Sequence, residues 1–340
     1  MSAVLKILSA GPALSLQDMG REGYLVSGLT RGGAADRLAL HEGAALVGQT
    51  AECAALEMVG MGGTFEATTD TVIALTGARM AATLDGAPLI WNASHVLPAG
   101  AKLVIGGAQA GTYGYLHVAD GFATEPQMGA RASHLNAGIG RLLQSGDSLP
   151  LASNAPGRPG YFLTPENRLQ GGALRVVRSF QTCHFSTETR KRFSETEFRR
   201  DPRGNRQGVR MEATGEGFYA EGGLSIVSEV ITTGDIQVAG DGAPYVLMCE
   251  SQTTGGYPRI GTVIPSDLPK VAQAAAGAPL RFTFISHEEA IDIETRARAE
   301  IKALGSRVQP LIRDPHDIAD LLSYQLVGGA ISANADPFET

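Results

Sequence analysis

The stretch "GDIQVAGDGAPYVLMCESQTTGGYP" (residues 234–258) runs an apolar, strand-like segment, "PYVLMCES" (244–251), straight into polar residues, a glycine pair and Tyr-Pro. Similar short apolar runs recur along the chain: "TVIALTG" (71–77), "AKLVIGG" (101–107), "GTYGYLHVADGF" (111–122), "LRVVRS" (174–179) and "LRFTFIS" (280–286). Each is bounded by Gly, Pro, Asp or Asn, the residues that supply turns. Short strands at such spacing, with few helical patterns between them, predict antiparallel sheets or barrels.

Three helices are predicted. Over 33–48, Asp36 stands where it caps the start. Over 266–275, Ser266 or Asp267 caps the start and Gly277 stops the helix. Over 286–304, Ser286 and Glu289 form a capping box, and Ala290, Ile293, Ala297, Ile301 and Leu304 line one face. The basic stretch "RKRFSETEFRRDPR" (190–203) mixes in acids and reads as a solvated segment. The Pro/Gly/Asn-rich run 153–172 reads as a linker. The expected domains are therefore 1–165 and 166–310, followed by a C-terminal tail, 311–340, that opens as a short helix.

Composition narrows the function. In 340 residues, 43% are hydrophobic and 19% charged, as a globular protein with a sizeable core requires. The 43 glycines are scattered, which points to many turns and not to a collagen-like repeat. A net charge of -7 argues against nucleic acid as a partner. Three distant cysteines without a CxxC argue for reduced thiols in a cytoplasm. No 18-residue apolar run is present, so no membrane span is expected.

The familiar catalytic signatures are missing. There is no phosphate-binding G-x-x-x-x-G-K-[ST] loop, no dinucleotide fingerprint, no H-E-x-x-H metal site and no G-x-S-x-G nucleophile elbow. What remains is polar residues set among glycines. Gln237, Asp241, Gln252, Thr253, Thr254 and Tyr257, with Gly255 and Gly256 admitting close backbone approach, form a candidate wall for a small polar ligand such as an amide or lactam. Asp241, Gln252, Thr253, Thr254 and Tyr257 are the candidates for the chemistry. Gln237, Gly255, Gly256, Asn205 and Arg206 are candidates for binding, Arg206 by pairing with a carboxylate. A hairpin turn is the competing reading of the same stretch. In the first half, Asp18, Arg21 and Arg131 are binding candidates, with an Asp–Arg pair that fixes a turn as the alternative. His117 reads as a structural histidine within its strand.

Taken in order, "GPALSLQDMGREGY", "GGAADRLAL", "GRLLQSGDSL", "NRQGVR", "GDIQVAGDGAPYVL" and "QTTGGYPRIGTVIPSDLPKVAQ" resemble the biotin-dependent carboxyltransferase family. That family includes allophanate hydrolase subunit 2, the C subunit of 5-oxoprolinase, the Kip antagonist and part of the urea carboxylase carboxyltransferase domain. The resemblance covers nearly the whole chain, and 252–273 is its most specific part. It implies two cyclophilin-like β-barrel domains with few short helices. It also implies a B-type partner subunit and an A-type subunit in ATP-dependent 5-oxoprolinase, where ATP is used at the level of the complex. The related alternatives are carboxyl transfer from biotin to urea, or a non-enzymatic regulator that binds a B-type partner. Covalent biotin on this chain is not expected, because none of its five lysines lies between methionines.

Overall fold

The computed structural model describes residues 3–152, 157–221, 223 and 226–312. The first nine strands are β1 (Val4–Ala10), β2 (Leu14–Gln17), β3 (Ala55–Val59), β4 (Met61–Ala67), β5 (Thr71–Leu84), β6 (Ala87–Pro88), β7 (Ser94–Leu97), β8 (Lys102–Val118) and β9 (Ser148–Pro150). They form one antiparallel sheet in the order β2-β3-β8-β4-β1-β9, with β5 joining β8 to β6 and β7. The runs 101–107 and 111–122, read as two strands, are halves of the single strand β8. Its centre, "GGAQAGTYG" (106–114), is rich in small residues. These let β8 bend through register shifts against β5 without breaking the ladder.

Burial along β8 changes with its surroundings. Residues 102–105 alternate exposed and buried, as expected of a strand with one wet face, whereas 113–118 are buried on both faces. The cover on the second face is helix α1 (Arg37–Val47). Asp36 caps it as expected, accepting from the Ala39 N–H at 3.2 Å. α1 approaches closely because Gly43 faces His117: a Cβ there would run into the imidazole. The Thr76 hydroxyl donates to the Ala39 carbonyl at 2.9 Å and lies 2.8 Å from His117 Nε2. Its one hydrogen is thereby used, which places the imidazole proton on Nε2. The structural reading of His117 agrees with this packing.

Between the sheets, β10 (Tyr161–Phe162) leads to a second set: β11 (Gly172–Val177), β12 (Phe198–Arg200), β13 (Gly208–Glu212), β14 (Glu229–Val230), β15 (Asp235–Val238), β16 (Pro244–Leu247), β17 (Thr254–Gly255), β18 (Arg259–Val263), β19 (Pro279–Phe284) and β20 (Gln309–Pro310). Seven of these close a barrel in the order β11-β18-β15-β16-β13-β12-β19, sealed by the parallel pairing of β11 with β19. Leu174, Val176, Ile236, Val246, Ile260 and Phe282 fill it. The fold is thus mainly β, as the strand spacing predicts.

The segment 190–203 is not solvated throughout. Its first part ends helix α2 (Thr187–Glu195), capped by Ser186, and its second contains β12. Phe193 and Phe198 are fully buried, and Phe193 stacks on Phe282 with centroids 4.8 Å apart. One aromatic side chain outweighs the surrounding charge, because burying a Phe stabilises by about 1.5–3 kcal/mol while the charged neighbours simply face water. Helix α3 (Leu268–Gln273) forms, but neither Ser266 nor Asp267 caps it through its side chain. The Asp267 carboxylate is instead clasped by Arg175, at 2.7 and 2.8 Å, and by Lys270 at 2.9 Å. Helix α4 (His287–Lys302) is capped by Ser286 as expected, and helix α5 (Leu304–Arg307) follows. The predicted tail helix lies outside the described residues.

Two stability predictions follow from the α1 contact. In an open helix Gly→Ala stabilises by about 1 kcal/mol. Gly43→Ala should do the opposite, lowering stability by about 1–3 kcal/mol through overpacking against His117, as a denaturant titration will show. Burial holds the His117 pKa down at about 3, against the ordinary 6.5. The unfolded chain therefore takes up this proton first as pH falls, so the contribution is complete above about pH 6.5 and is lost toward pH 3. The melting temperature of His117→Gln should fall less steeply than wild type between pH 6.5 and 4.

Candidate functional site

Two clusters of buried polar groups gather where the first sheet meets the barrel; the first half of the chain is an open nine-stranded sheet, not the second closed barrel expected from the family resemblance. The loop 18–36 leaves β2, doubles back and delivers α1. Its turn depends on Gly33, at φ +80°, where a Cβ would sit 2.7 Å from both the Asp18 carbonyl and the Gly20 nitrogen. The Asp18 carboxylate ties the loop by accepting from the Gly20 N–H at 2.8 Å and the Arg131 N–H at 2.5 Å. Arg21 donates through Nη2 to the Ala132 carbonyl at 2.6 Å. The Arg131 guanidinium turns away to the Thr124 carbonyl at 2.8 Å. Asp18, Arg21 and Arg131 are thus brought together, with backbone groups and not an Asp–Arg ion pair as the fastening.

Arg206 enters this seam from the barrel. It donates to Glu57 of β3, to Glu250 at 2.6 Å and to the Gly33 carbonyl at 2.6 Å. The other Glu57 oxygen accepts from Tyr115 Oη at 2.7 Å and from the Ala35 N–H at 2.8 Å. Burial opposes the charge on Arg206, but the acidic groups around it (Cys249, Glu57 and Glu250) outweigh that and raise its pKa well above the ordinary value. A second buried cluster holds α1: Arg168 meets Asp36 at 2.8 Å and grips Glu42 through two bonds of 2.8 and 2.6 Å. Gln273 of α3 completes it, donating to Asp36 and to the Tyr113 carbonyl, both at 2.8 Å.

Between the first sheet with its helix α1 and the barrel, beside these clusters, lies a cavity of about 860 Å³. Its walls come from the 19–31 loop and the outer face of α1, and across from them Thr232, Thr233, Met248, Cys249, the 265–270 turn and α4. That volume lies within the range usual for small-molecule sites, which also favour boundaries between domains. Burial pushes the Cys249 thiol up to about 11, so it stays protonated at neutral pH and is no ready nucleophile.

The sequence-predicted residues fall into separate places. Gln237 and Gly255 touch, since a Cβ on Gly255 would strike the Gln237 amide, and Gln252 lies 3.4 Å from the same point. Gln237 Nε2 is buried and has no hydrogen-bond partner among the described residues. Thr254 and Gly255 form β17, paired with β14, and Tyr257 is exposed beside them. Gly256 meets the Ile226 carbonyl, which a Cβ would approach to 3.1 Å. Thr253 accepts at its carbonyl from Ile231 N–H at 3.0 Å, and the next two residues, Thr232 and Thr233, wall the cavity. This recess therefore adjoins the cavity without lining it. Asp241 lies elsewhere, at the β15–β16 turn, bound to Arg210 at 2.6 Å. Asn205 closes its own turn, accepting from Gln207 and Gly208 N–H. Of all these candidates only Arg21 lines the cavity.

Residues that the sequence reading passed over include Arg37, Glu57, Arg168 and Glu250. One local signal was available for Arg37: a cation in the first turn of a helix opposes the macrodipole, a local rule broken for some other gain. The buried triad gives a direct test. Arg206→Met leaves two buried carboxylates unanswered and should cost about 3–5 kcal/mol of stability, measured by chemical unfolding. A loss under 1 kcal/mol would show that the seam does not depend on this charge.

Comparison with known proteins places the chain in a family. Residues 27–284 match the family described as carboxyltransferase domain, subdomain A and B. Over 299 residues the chain is 34% identical to the C subunit of 5-oxoprolinase from Escherichia coli (strain K12), covering 85% of this chain and 93% of that protein. Over 301 residues it is 31% identical to the C subunit of 5-oxoprolinase from Haemophilus influenzae, covering 86% and 95%. The urea amidolyase structure from K. lactis superposes with a TM-score of 0.81 at 22% identity, over 92% of this chain and 21% of that one, a likeness of fold. With the match running from the loop before α1 to the end of β19, the chain belongs to the carboxyltransferase domain family of subdomains A and B.

Proposed function

We propose that this chain is the C subunit of a 5-oxoprolinase, acting within a complex that opens the lactam of 5-oxoproline to glutamate at the expense of ATP. The observation that carries the reading is the near end-to-end similarity to two proteins of that name, over more than nine-tenths of each. The seam cavity is the substrate chamber in this reading. The recess of Gln237, Gln252, Thr253 and Gly255 supplies polar contacts at its edge, with the Gln237 amide offering a buried donor that lacks an acceptor among the described residues.

ATP is assigned to another subunit. The glycine-led start of α1, the place where a phosphate cradle would stand, is closed by the Asp36 carboxylate together with Arg168, and a triphosphate does not fit against that acid. A B-type and an A-type partner complete the assembly. The second reading, biotin-dependent carboxyl transfer to urea or a related amide, draws on the urea amidolyase likeness. Biotin in that case arrives on another chain.

The experiment is to measure ATP hydrolysis coupled to 5-oxoproline for this chain alone and with candidate A-type and B-type partners. Turnover only in the assembled complex is the expected result. Coupled carboxylation of urea, with no action on 5-oxoproline, would move the assignment to the second reading. Within the active complex, Gln252→Ala should lower kcat/KM about ten- to a hundredfold, the loss of one polar contact of about 1–3 kcal/mol, while thermal unfolding stays within a few degrees.

A further inference from the structure

The seam cavity holds positive charge that its own carboxylates do not answer. Arg31 is paired with Glu22 at 2.8 Å, and Arg175 and Lys270 share Asp267. Arg296 and Arg298 of α4 line the cavity too but are exposed, whereas Arg37 and Arg21 are withdrawn from solvent. Arg37 opens α1 and lines the cavity, yet among the described residues no carboxylate comes within ion-pair distance of it, and its recorded contact is the Gly32 carbonyl at 3.5 Å. The neighbouring Asp36 is already committed to Arg168, Gln273 and the Ala39 N–H. Burial, reinforced by Arg31, draws the Arg37 pKa down to about 10, so the group remains charged at neutral pH while its solvation is impaired. Arg21 is only 2% exposed, and among the described residues its Nη1 has no hydrogen-bond partner. Both guanidinium groups come up against Gly32: its carbonyl accepts from Arg37, and Arg21 Nη1 lies 3.7 Å from where its Cβ would stand.

We propose that the seam cavity binds a small organic carboxylate, with Arg37 as its counter-ion and Arg21 Nη1 as a second donor. A buried guanidinium with donors to spare gains most from a planar carboxylate that takes two parallel N–H bonds. Met19, Leu25, Leu38 and Met248 on the walls suit a hydrocarbon ring or chain behind that group. His41, one turn along α1 from Arg37, also lines the cavity, and burial lowers its pKa, so it faces the ligand as a neutral imidazole. On the α4 wall Glu294 and Glu300 stand beside Arg296 and Arg298, so that wall carries no net charge and the cation withdrawn from solvent is on the α1 side.

This inference deepens the assignment above, since 5-oxoproline is a ring lactam with a single carboxylate. Calorimetric titration of the full chain, alone and in its complex, should compare 5-oxoproline with 2-pyrrolidinone, the same ring without the carboxylate. Wild type is expected to prefer 5-oxoproline by at least tenfold. Arg37→Met should remove that preference, weakening 5-oxoproline about ten- to a hundredfold while the melting temperature and 2-pyrrolidinone binding barely move. Arg37→Lys should restore part of it. Equal affinity for the two rings, absence of binding, or 5-oxoproline binding indifferent to Arg37→Met each overturns the site. An active 5-oxoprolinase complex insensitive to Arg37 would overturn the site and keep the function. Arg37-dependent binding in a complex without 5-oxoproline turnover would do the reverse.

Discussion

A guanidinium taken out of water needs acceptors, and where those acceptors are acids they must in turn be held in place. Arg206 imposes that requirement on the whole molecule. It belongs to the barrel, one of its acids belongs to the first sheet, and the other returns from the barrel through Glu250. Tyr115 and the Ala35 N–H fix Glu57, and Ala35 lies on the loop that starts α1. The position of α1, the course of the 18–36 loop and the meeting of the first sheet with the barrel are thus one problem with one solution. Pairs of this kind contribute little net stability relative to an apolar core, but they penalise every alternative docking in which a charge is left alone.

The apolar contacts agree with the polar ones. Ala34, Ala35, Ala39, Leu40, Tyr113 and Tyr115 come from the first half of the chain but pack in the same continuous cluster as the interior of the barrel. The seam is therefore built like a core, and the cavity beside it is a gap left in an otherwise dense boundary. Its shape is set by rigid parts: a capped helix on one side, and on the other a turn whose Asp267 is fixed by three basic bonds.

What the sequence made legible was what is local. Strand runs with turn residues at their ends, the Asp36 and Ser286 caps and the apolar face of α4 each declare themselves within a few residues, and each stands in the structure. The short helix α2 did not, because a nine-residue helix with one buried side chain leaves no periodic stripe to read. The unbroken length of β8 was hidden by small residues that resemble a turn. Arg206 was noticed for its chemistry, but its partner Glu57 is 149 residues away. Arg168 and Glu42 are separated by 126 residues, and no spacing rule joins them. Clusters assembled from distant parts of the chain have no local pattern, which is why the candidate site drew on glycine-rich stretches and passed over the cavity.

The parallel closure of β11 against β19 has a bearing on how such a chain is made. Strands of the first sheet find all their partners within residues 4–150, so that half has its pairings in hand early in synthesis. The barrel is sealed by two strands about a hundred residues apart, and it stays open until the later one has left the ribosome. During that interval Glu57 and Tyr115 wait without the guanidinium that answers them, and the apolar face of α1 and β8 waits without its cover. A nascent chain paused between the first sheet and the barrel presents a hydrophobic surface whose Glu57 carboxylate is held only by Tyr115 and the Ala35 N–H. That charge keeps water at the surface until the barrel arrives, and so disfavours its premature burial against another chain.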